Sequence, residues 1–336
     1  LTKLQQDRKY DFVDMINLAS RAVREVDECA KGYEYILLDE MQDLSRNRVV
    51  LIREILKKNS NCKLFAVGDD WQSIYRFTGS SLRVVHDFER LFERKTKRSL
   101  IETTHRFGKD TIRISGKFIQ RNPAQIKKQI KASVKRKTPI KIITKDEPGD
   151  AAAIAGILES LREEYGEELG SKSIQIISRF NHDIDRLRGG ELKVEHNQIE
   201  WQDIRMEFCS MHKSKGITRD IVIVINMNDA ANGMPAVRES DPLLNLLLPD
   251  SEDFPYAEER RLFYVAITRA REMTFLIANS KNPSPFLFEI SEDLQEDYSK
   301  RCPRCGFGEL IKAHGVNGDF CYCSNFAYDC DYKKRI

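Results

Sequence analysis

The sequence predicts an α/β fold in which parallel β-sheets are flanked by helices. Short apolar runs alternate with amphipathic helical patterns along most of the chain, and the first two apolar runs end in acidic residues. Strands that alternate with helices are typical of parallel sheets, because the chain must cross back before it can add the next parallel strand.

The predicted elements follow one another in a regular order. The first two strands are expected at 35–38 and 64–67, with a helical pattern at 49–56 between them. Later apolar runs predict strands at 140–143, 174–177, 221–225 and 274–278, and helical patterns occur at 151–165 and 258–271. Ligands of open α/β sheets bind at the carboxyl ends of strands, so polar residues that follow these runs are the candidates for chemistry.

Length and composition set the broad class. The chain has 336 residues, of which 41% are hydrophobic and 32% charged, which supports two domains and a small appendage. No stretch approaches the roughly 18 consecutive apolar residues of a membrane span, and the N-terminus lacks a secretory signal pattern. We expect a cytoplasmic protein with no membrane partner. Because an amphipathic segment follows Leu1 almost at once, we also expect the chain to be part of a longer polypeptide.

Positive charge is concentrated in one segment. Residues 94–145 contain 17 Lys and Arg against two Asp and Glu, although the net charge of the chain is only +3. Such an asymmetry indicates a surface that faces a polyanion. A solvated, lysine-rich helix face is the alternative interpretation, and composition alone does not decide between them.

Acidic residues follow the first predicted strand. Asp39 and Glu40 have the arrangement in which one carboxylate holds Mg²⁺ and the next activates a water molecule for phosphoryl transfer. A helix N-terminus enriched in acids is the alternative. The loop at 68–79, after the second strand, adds two acids, an amide and three aromatic rings, a combination that can face a nucleotide and bases together.

These two segments resemble motifs II and III of the UvrD/Rep superfamily 1 DNA helicases, in order and at a similar separation. The resemblance implies RecA-like sheets, Mg²⁺ binding by Asp39, a catalytic base at Glu40 and a γ-phosphate sensor at Gln72. It also implies stacking of single-stranded bases on Tyr75 and Phe77, with Trp71 in the same loop. Trp71 stands where many relatives have an acid and Phe77 where many have Trp, so either ring could instead belong to the core.

Three further segments continue the resemblance. Residues 103–107 resemble motif IV, whose arginine, here Arg106, reaches the γ-phosphate. Residues 210–216 resemble motif V, which contacts the DNA backbone in the family; the corresponding candidates are Ser210, His212, Lys213 and Lys215. Thr218 replaces the Glu that often binds the ribose. Residues 258–272 resemble motif VI, in which Arg269 would be the arginine finger. A salt-bridged amphipathic helix is the alternative for this last segment.

A Walker A loop is missing from the sequence before Asp39. The segment 166–173 has the wrong spacing and precedes a strand, so we predict a turn there. The resemblance therefore covers roughly 30–280. It implies the C-terminal part of a first motor domain (1–97), a complete second motor domain (98–295) and a C-terminal module (296–336). The spacing between motifs IV and V favours the compact helicase IV branch, and we expect this chain alone to be inactive as an ATPase.

The cysteines indicate a zinc site. Five of the eight cysteines follow residue 300. Because the cytosol keeps thiols reduced, clustered cysteines in a cytosolic protein indicate metal binding before disulfides. Cys302 and Cys305 form a knuckle, and Cys323 and Cys330 supply a second pair. Cys321 is an alternative third ligand. The segment resembles the zinc ribbons of bacterial type I topoisomerases. Aromatic and basic residues between and after these cysteines could also bind single-stranded nucleic acid.

Together, the sequence predicts an ATP-dependent 3′ to 5′ DNA helicase, with the polarity implied by the resemblance alone. The expected cofactors are ATP, Mg²⁺ and Zn²⁺, and the expected partner is DNA that is single-stranded or has a single-stranded tail. A bacterial, nucleoid-associated protein is implied. The alternative is a non-catalytic protein that binds single-stranded nucleic acid and retains the helicase fold.

Overall fold

The computed structural model describes residues 9–145, 149–237, 252–294, 302–304, 310–315, 318–323 and 330–335. These residues form two compact units. The first comprises residues 9–99 with 252–253, and the second comprises the remainder. Each unit has its own hydrophobic core.

The first unit is a small α/β layer. In chain order it contains α1 (Phe12–Glu25), β1 (Tyr35–Leu38), a 3₁₀ turn (Met41–Asp43), α2 (Arg46–Lys58), β2 (Lys63–Ala66), two 3₁₀ turns (Asp70–Gln72 and Arg76–Thr78), α3 (Arg83–His86) and α4 (Phe88–Phe92). Helix α1 begins with a capping box between Asp11 and Asp14, which satisfies two backbone amides near its first turn.

Strands β1 and β2 pair in parallel, with Tyr35 opposite Lys63 and Leu38 opposite Ala66. The predicted strand, helix, strand order is confirmed. Side chains alternate between the faces of a strand, and one face of this pair packs on a core that includes residues of α2, α3 and α4. The other face exposes Leu37 and Phe65. Because the strands are parallel, the loops that follow them leave from the same edge.

The second unit is larger. Its elements are β3 (Thr103–Thr104), α5 (Lys109–Ile119), β4 (Lys131–Ala132), β5 (Ile140–Lys145), α6 (Gly149–Tyr165), a 3₁₀ helix (Gly166–Ser171), β6 (Ile174–Ser178), a 3₁₀ helix (Asn181–Leu187), β7 (Lys193–Glu195), β8 (Gln198–Trp201), β9 (Ile204–Ser210), β10 (Arg219–Val224), α7 (Ala257–Ile267), β11 (Ala270–Asn279) and α8 (Pro285–Leu294).

Seven of these strands form the central sheet, in the order β5-β11-β10-β6-β9-β8-β7. The first five are mutually parallel, whereas β7, β8 and β9 form an antiparallel meander. The parallel-dominated α/β fold predicted from the sequence is confirmed. No helix that the structure describes is long and apolar enough to cross a membrane.

Three helices of this unit pack through aromatic rings. The ring of Phe118 on α5 lies 5.2 Å from that of Phe263 on α7 and 5.1 Å from that of Phe286 on α8, both edge to face. The buried guanidinium of Arg260 lies about 5 Å from the rings of Phe118 and Phe286, and both of its Nη atoms donate to the Glu289 carboxylate. The pair therefore fixes α7 to α8.

Two predictions about this unit were wrong in their limits. The helix expected at 258–271 ends at Ile267, and the strand expected from Thr274 begins at Ala270. Thr268 donates its hydroxyl to the carbonyls of Tyr264 and Val265, which closes the last turn of the helix. Arg269 therefore lies in a two-residue connection between helix and strand.

The C-terminal residues form a separate three-stranded antiparallel sheet, of β12 (Leu310–Gly315), β13 (Gly318–Cys323) and β14 (Lys333–Arg335). Cys321 lies opposite both Lys312 and Lys334, and Tyr322 lies opposite Ile311 and Lys333. The cysteines and the tyrosine consequently lie on opposite faces of the sheet.

Candidate functional site

The predicted acid pair lies where the sequence placed it, at the carboxyl end of β1. Asp39 and Glu40 are exposed, and the backbone amide of Glu40 donates to Asp39 Oδ1 at 2.9 Å. Glu40 has a φ of 49° in the left-handed region, which a residue with a side chain adopts at a cost of about 1 kcal/mol or more. The turn thus directs two carboxylates into solvent at one strand end.

Gln42 joins this turn to the loop after β2. Its side-chain Nε2 donates to the Glu40 carboxylate, and its Oε1 accepts from the backbone amide of Asp69 at 2.9 Å. Gln42 is fully buried. A Cβ at Gly68 would lie 2.5 Å from Gln42 Oε1, so only glycine fits beside this contact.

Gln72, the predicted phosphate sensor, is held by an acid of its own loop. Its Nε2 donates to Asp69 Oδ2 at 2.6 Å, and Asp69 Oδ1 accepts from the amide of Trp71 at 3.1 Å. Hydrogen bonds therefore run from Glu40 through Gln42 and Asp69 to Gln72. The sequence predicted that Glu40 and Gln72 belong to one site, and the structure connects these two residues through hydrogen bonds.

The three aromatic residues of the loop differ in exposure. Trp71 is 1% exposed, so it packs in the core and offers no face to a base in this structure, which argues against its predicted stacking role. Phe77 is 61% exposed, and its ring meets that of Tyr75 edge to face at 5.9 Å. Burial raises the pKa of the Tyr75 hydroxyl, and the carboxylates of Asp43 and Glu40 raise it further. Tyr75 thus lies near the carboxylates of Asp43 and Glu40, and its ring contacts that of the exposed Phe77.

In the second unit, Arg106 lies against the residue that precedes Arg269. Its Nη1 donates to the carbonyl oxygen of Thr268 at 3.4 Å. Burial lowers the pKa of the Arg106 guanidinium; Tyr264 opposes this shift, and the positive charge of Arg271 adds to it. Arginine remains charged throughout the physiological range, so this region has a positive charge that an anion can neutralise.

Arg269 itself is 1% exposed. Its Nε donates to the carbonyl of Val265 at 2.7 Å and its Nη2 to the hydroxyl of Thr268 at 2.9 Å. A cation on the last carbonyls of a helix stabilises the helix terminus. In this arrangement Arg269 caps α7.

Arg136 links the two arginine segments and was not singled out by the sequence. Its Nη2 donates to the carbonyl of Arg106 at 3.0 Å and its Nε to the carbonyl of Arg271 at 2.8 Å. Gly108 packs against the same segment, because a Cβ there would lie 2.1 Å from the carbonyl of Arg136. The basic composition of 94–145 was the available signal, but it did not distinguish Arg136 from its neighbours.

The residues that resemble motif V follow β9. Ser210 ends the strand and is buried, whereas Lys213 is exposed and His212 and Lys215 are half-buried. Ser214 closes the turn through a hydrogen bond from its amide to the carbonyl of Ser210 at 3.0 Å. In this turn Lys213 is the basic residue that is fully exposed, and Ser210 lies inside the fold.

The basic segment is divided between the two units, since residues up to 99 belong to the first and those from 100 belong to the second. Part of its charge is neutralised, because Arg121 Nη1 donates to Glu289 Oε2 at 2.8 Å. The segment therefore does not form one surface within a single unit.

Three predicted metal ligands come together at the C-terminus. The Sγ atoms of Cys302, Cys323 and Cys330 all lie within 4.8 Å of one another and the residues are buried, with Cys302 and Cys330 at 3.6 Å. A disulfide needs a sulfur separation of about 2.05 Å, whereas sulfurs bound tetrahedrally to one zinc ion at about 2.3 Å lie nearly 4 Å apart. Cys321 is not in this group, and Cys305 lies outside the described residues.

Two segments outside the cysteine group match known protein families. Residues 1–93 match the family model of the UvrD/REP helicase N-terminal domain, and residues 187–281 match that of the UvrD-like helicase C-terminal domain. Two segments of the chain therefore resemble the N- and C-terminal domains of UvrD-type helicases. The first match contains Asp39, Glu40 and the loop at 68–79, and the second contains Arg269 and the turn after β9.

Curated relatives include DNA helicase IV of Escherichia coli K12, which is 34% identical over 303 residues, covering 89% of this chain and 41% of that protein. The ATP-dependent DNA helicase PcrA of Bacillus subtilis is 30% identical over 124 residues, covering 36% of this chain and 16% of that protein. This chain thus spans less than half the length of either relative.

A solved C-terminal domain of a possible DNA helicase from Lactobacillus plantarum WCFS1 is similar at a TM-score of 0.35 and 17% identity, over 57% of this chain and 96% of that chain.

Proposed function

We propose that this chain is the C-terminal portion of an ATP-dependent DNA helicase or translocase that moves 3′ to 5′. The observation that carries the proposal is the exposed acid pair Asp39–Glu40 at a strand end, tied through Gln42 to the loop with Gln72. The names of two relatives, a DNA helicase and an ATP-dependent DNA helicase, support ATP and DNA as ligands.

The first unit would supply the residues that act on the attacking water. Asp39 and Glu40 are oxygen donors at an exposed strand end, and hard cations such as Mg²⁺ select such ligands. When bound, Mg²⁺ would neutralise charge on the phosphates. Asp39 would hold the cation, Glu40 would accept the proton of the water, and Gln72 would report the state of the γ-phosphate.

The second unit would supply positive charge. Arg106 and Arg269 would neutralise charge that develops on the transferred phosphoryl group, with Arg269 as the arginine finger. For Arg269, this role requires the guanidinium to give up its hydrogen bonds to the Val265 carbonyl and the Thr268 hydroxyl. It would then bind phosphoryl oxygens instead. Arg136 would position both segments by holding the carbonyls of Arg106 and Arg271.

Single-stranded DNA would bind at two places. Phe77, whose ring contacts that of Tyr75 edge to face, offers a ring on which a base could stack, an interaction that tolerates any sequence. His212, Lys213 and Lys215 would contact the phosphate backbone. The hydrogen bonds between the acid pair and the loop of Tyr75 and Phe77 would couple ATP hydrolysis to movement along the DNA strand.

For the domains, we propose that residues 1–97 are the C-terminal part of a first RecA-like motor domain, 98–295 a complete second motor domain and 296–336 a zinc ribbon. Cys302, Cys323 and Cys330 fit Zn²⁺ in burial and sulfur spacing, and Cys305 would be the fourth ligand. Bound zinc would hold together a segment too short to form a core of its own.

Strand displacement tests this proposal. The assay uses what we call the extended protein, in which this chain is preceded by a segment that carries a Walker A loop. We expect it to unwind a duplex with a 3′ single-stranded tail in the presence of ATP and Mg²⁺, and to leave a 5′-tailed duplex paired. Binding of single-stranded DNA without ATP hydrolysis would instead favour the non-catalytic binder, for which the missing Walker A loop in these 336 residues is the supporting observation.

A further inference from the structure

Lysines line one side of a segment in the second unit. We call residues 127–137, which contain β4, the lysine segment. From 127 to 135, exposed and half-buried residues alternate, as in a strand that has one side on the protein and the other in solvent. The exposed positions are Lys127, Gln129, Lys131, Ser133 and Lys135. The half-buried positions include Ile130, Ala132 and Val134. Three lysines therefore form a row that faces solvent.

The lysine segment is fixed to the second unit along its length. Near its start, the amide of Lys128 donates to Gln120 Oε1 at 3.1 Å. In its middle, β4 pairs in parallel with β3. Just beyond its end, the amide of Gly108 donates to Thr138 Oγ1 at 2.6 Å. The row is thus held in place without a ligand, so binding does not have to order this backbone.

The charge on the exposed side of the segment has one sign. No Asp or Glu occurs between Asp110 and Asp146 in the sequence. Glu102 precedes β3 and is half-buried, whereas the next residue, Thr103, lies opposite Lys131 and is exposed. Because successive side chains point to opposite sides of a strand, Glu102 lies on the other side from Lys131. Among the residues that the structure describes, none forms an ion pair with the three lysines of the row.

The segment offers cations without aromatic rings. Residues 120–139 contain no Phe, Trp or Tyr, so unstacked bases gain no stacking here. Binding then depends on phosphate charge, which is dense on duplex DNA, at one charge per about 1.7 Å of axis. A strand rises about 3.3 Å per residue, so neighbouring lysines of the row lie up to about 13 Å apart and reach different phosphates.

We propose that the lysine segment binds the phosphate backbone of duplex DNA through Lys127, Lys131 and Lys135. These residues lie outside the segments that resemble motifs III, IV and V. Phosphate contacts carry no base sequence information, so the surface accepts a duplex of any sequence. On a substrate with a single-stranded tail, it holds the paired part. The inference rests on the proposed DNA substrate but does not require ATP hydrolysis.

Duplex binding by the chain as it stands tests this inference. The triple variant Lys127→Gln, Lys131→Gln, Lys135→Gln removes three charges from the row. In fluorescence anisotropy with a labelled duplex of about 20 base pairs, we expect the slope of log affinity against log salt to fall by about 2.7, at about 0.9 per lost phosphate contact. With oligo-dT we expect a smaller loss of affinity, because the proposed contacts of the single strand lie elsewhere.

A matched control removes the same charge from other places. The variant Lys63→Gln, Lys193→Gln, Lys281→Gln changes three exposed lysines outside the segment, and we expect it to leave the slope nearly unchanged. Circular dichroism of both variants establishes that the chain is folded.

Lysine acetylation identifies the contact without any substitution. An N-hydroxysuccinimide ester labels the chain with and without the duplex, and mass spectrometry maps the labelled residues. We expect the duplex to protect Lys127, Lys131 and Lys135, and to leave Lys193 and Lys281 as reactive as in the free chain.

An unchanged slope in the triple variant, an equal change in the control, protection confined to other lysines, or a larger loss with oligo-dT than with the duplex would each overturn the inference. Because none of these measurements uses ATP, absence of helicase activity would contradict the proposed function and leave them unaffected.

Discussion

Arg106 and Thr268 lie 162 residues apart in the sequence, yet the guanidinium of Arg106 donates a hydrogen bond to the carbonyl oxygen of Thr268. Thr268 immediately precedes Arg269. The two arginines that the sequence assigned to separate motifs are therefore held in one region of the second unit. Arg136 strengthens this arrangement through the carbonyls of Arg106 and Arg271.

The first prediction separates the two roles open to Arg269. In the extended protein, we expect Arg269→Ala to lower the kcat of DNA-stimulated ATP hydrolysis by about 10³, as for loss of an arginine finger. Loss of the helix cap alone would reduce stability and leave kcat per folded molecule intact. Arg219→Ala is the control, because the side chain of Arg219 pairs with Glu207, and it should leave kcat nearly unchanged. A normal kcat for folded Arg269→Ala would contradict the finger.

The second prediction concerns Gln42. Gln42→Leu keeps the volume but removes both hydrogen bonds, and the amide of Asp69 loses its buried acceptor at a cost of about 1–3 kcal/mol. We expect the kcat of the extended protein to fall more than tenfold, because the Glu40 carboxylate is no longer oriented. Ser45→Ala, a change in the next turn, should have little effect. An unaltered kcat in Gln42→Leu would show that Glu40 needs no such support.

The third prediction is a pH dependence of stability in the second unit. Burial raises the pKa of Glu289, but hydrogen bonds and charge from Arg260 and Arg121 outweigh it, so that the pKa lies below its usual value of 4.5. A carboxylate with a lowered folded pKa stabilises the fold above the unfolded pKa, and this contribution is lost as the pH falls through the folded value.

We therefore expect Glu289→Gln to lower the free energy of unfolding by about 2 kcal/mol at pH 7, and by progressively less below pH 4.5. Urea unfolding followed by Trp201 fluorescence in a Trp71→Phe background reports on this unit. The control is Glu195→Gln, which alters an exposed side chain on β7 and should give no difference. If the difference in unfolding free energy between Glu289→Gln and the unmodified chain does not change with pH, Glu289 does not titrate as described.

The fourth prediction uses two cysteines on one strand. We expect the purified chain to contain about one zinc ion, and Cys323→Ser to lose it, because removing one of four thiolates opens a structural site. Cys321→Ser should retain the metal, since Cys321 is buried but is not in the cysteine group. Elemental analysis after dialysis measures both variants. Zinc lost from Cys321→Ser and kept by Cys323→Ser would reverse the assignment of the third ligand.

Local pattern predicted the parallel strands well, for a physical reason. Strands buried in the middle of a parallel sheet are continuous apolar runs, and the runs at 174–177 and 221–225 coincide closely with β6 and β10. Strand β9 was not predicted, although Ile204, Met206 and Phe208 alternate with Arg205 and Glu207. This period-two pattern was the signal that could have identified it.

Contacts that depend on the tertiary fold were not predictable from the same patterns. Nothing in the sequence near Trp71 distinguishes a buried ring from an exposed one, because the loop contains aromatic residues of both kinds. The position of Arg269 beyond the helix end depends on the turn closed by Thr268. The roles of Gln42 and Arg136 arise from partners 27 and 135 residues away in the chain.

The measurement that tests the proposed motor most directly is DNA-stimulated ATP hydrolysis by the extended protein and by its Glu40→Gln variant. The change preserves shape and removes the carboxylate that accepts the proton of the attacking water. We predict that single-stranded DNA stimulates hydrolysis in the unmodified protein, and that Glu40→Gln abolishes hydrolysis while binding single-stranded DNA normally. Hydrolysis that persists in Glu40→Gln, or that is absent from both proteins while both bind DNA, would contradict the assignment of Glu40 as the catalytic base of a helicase motor.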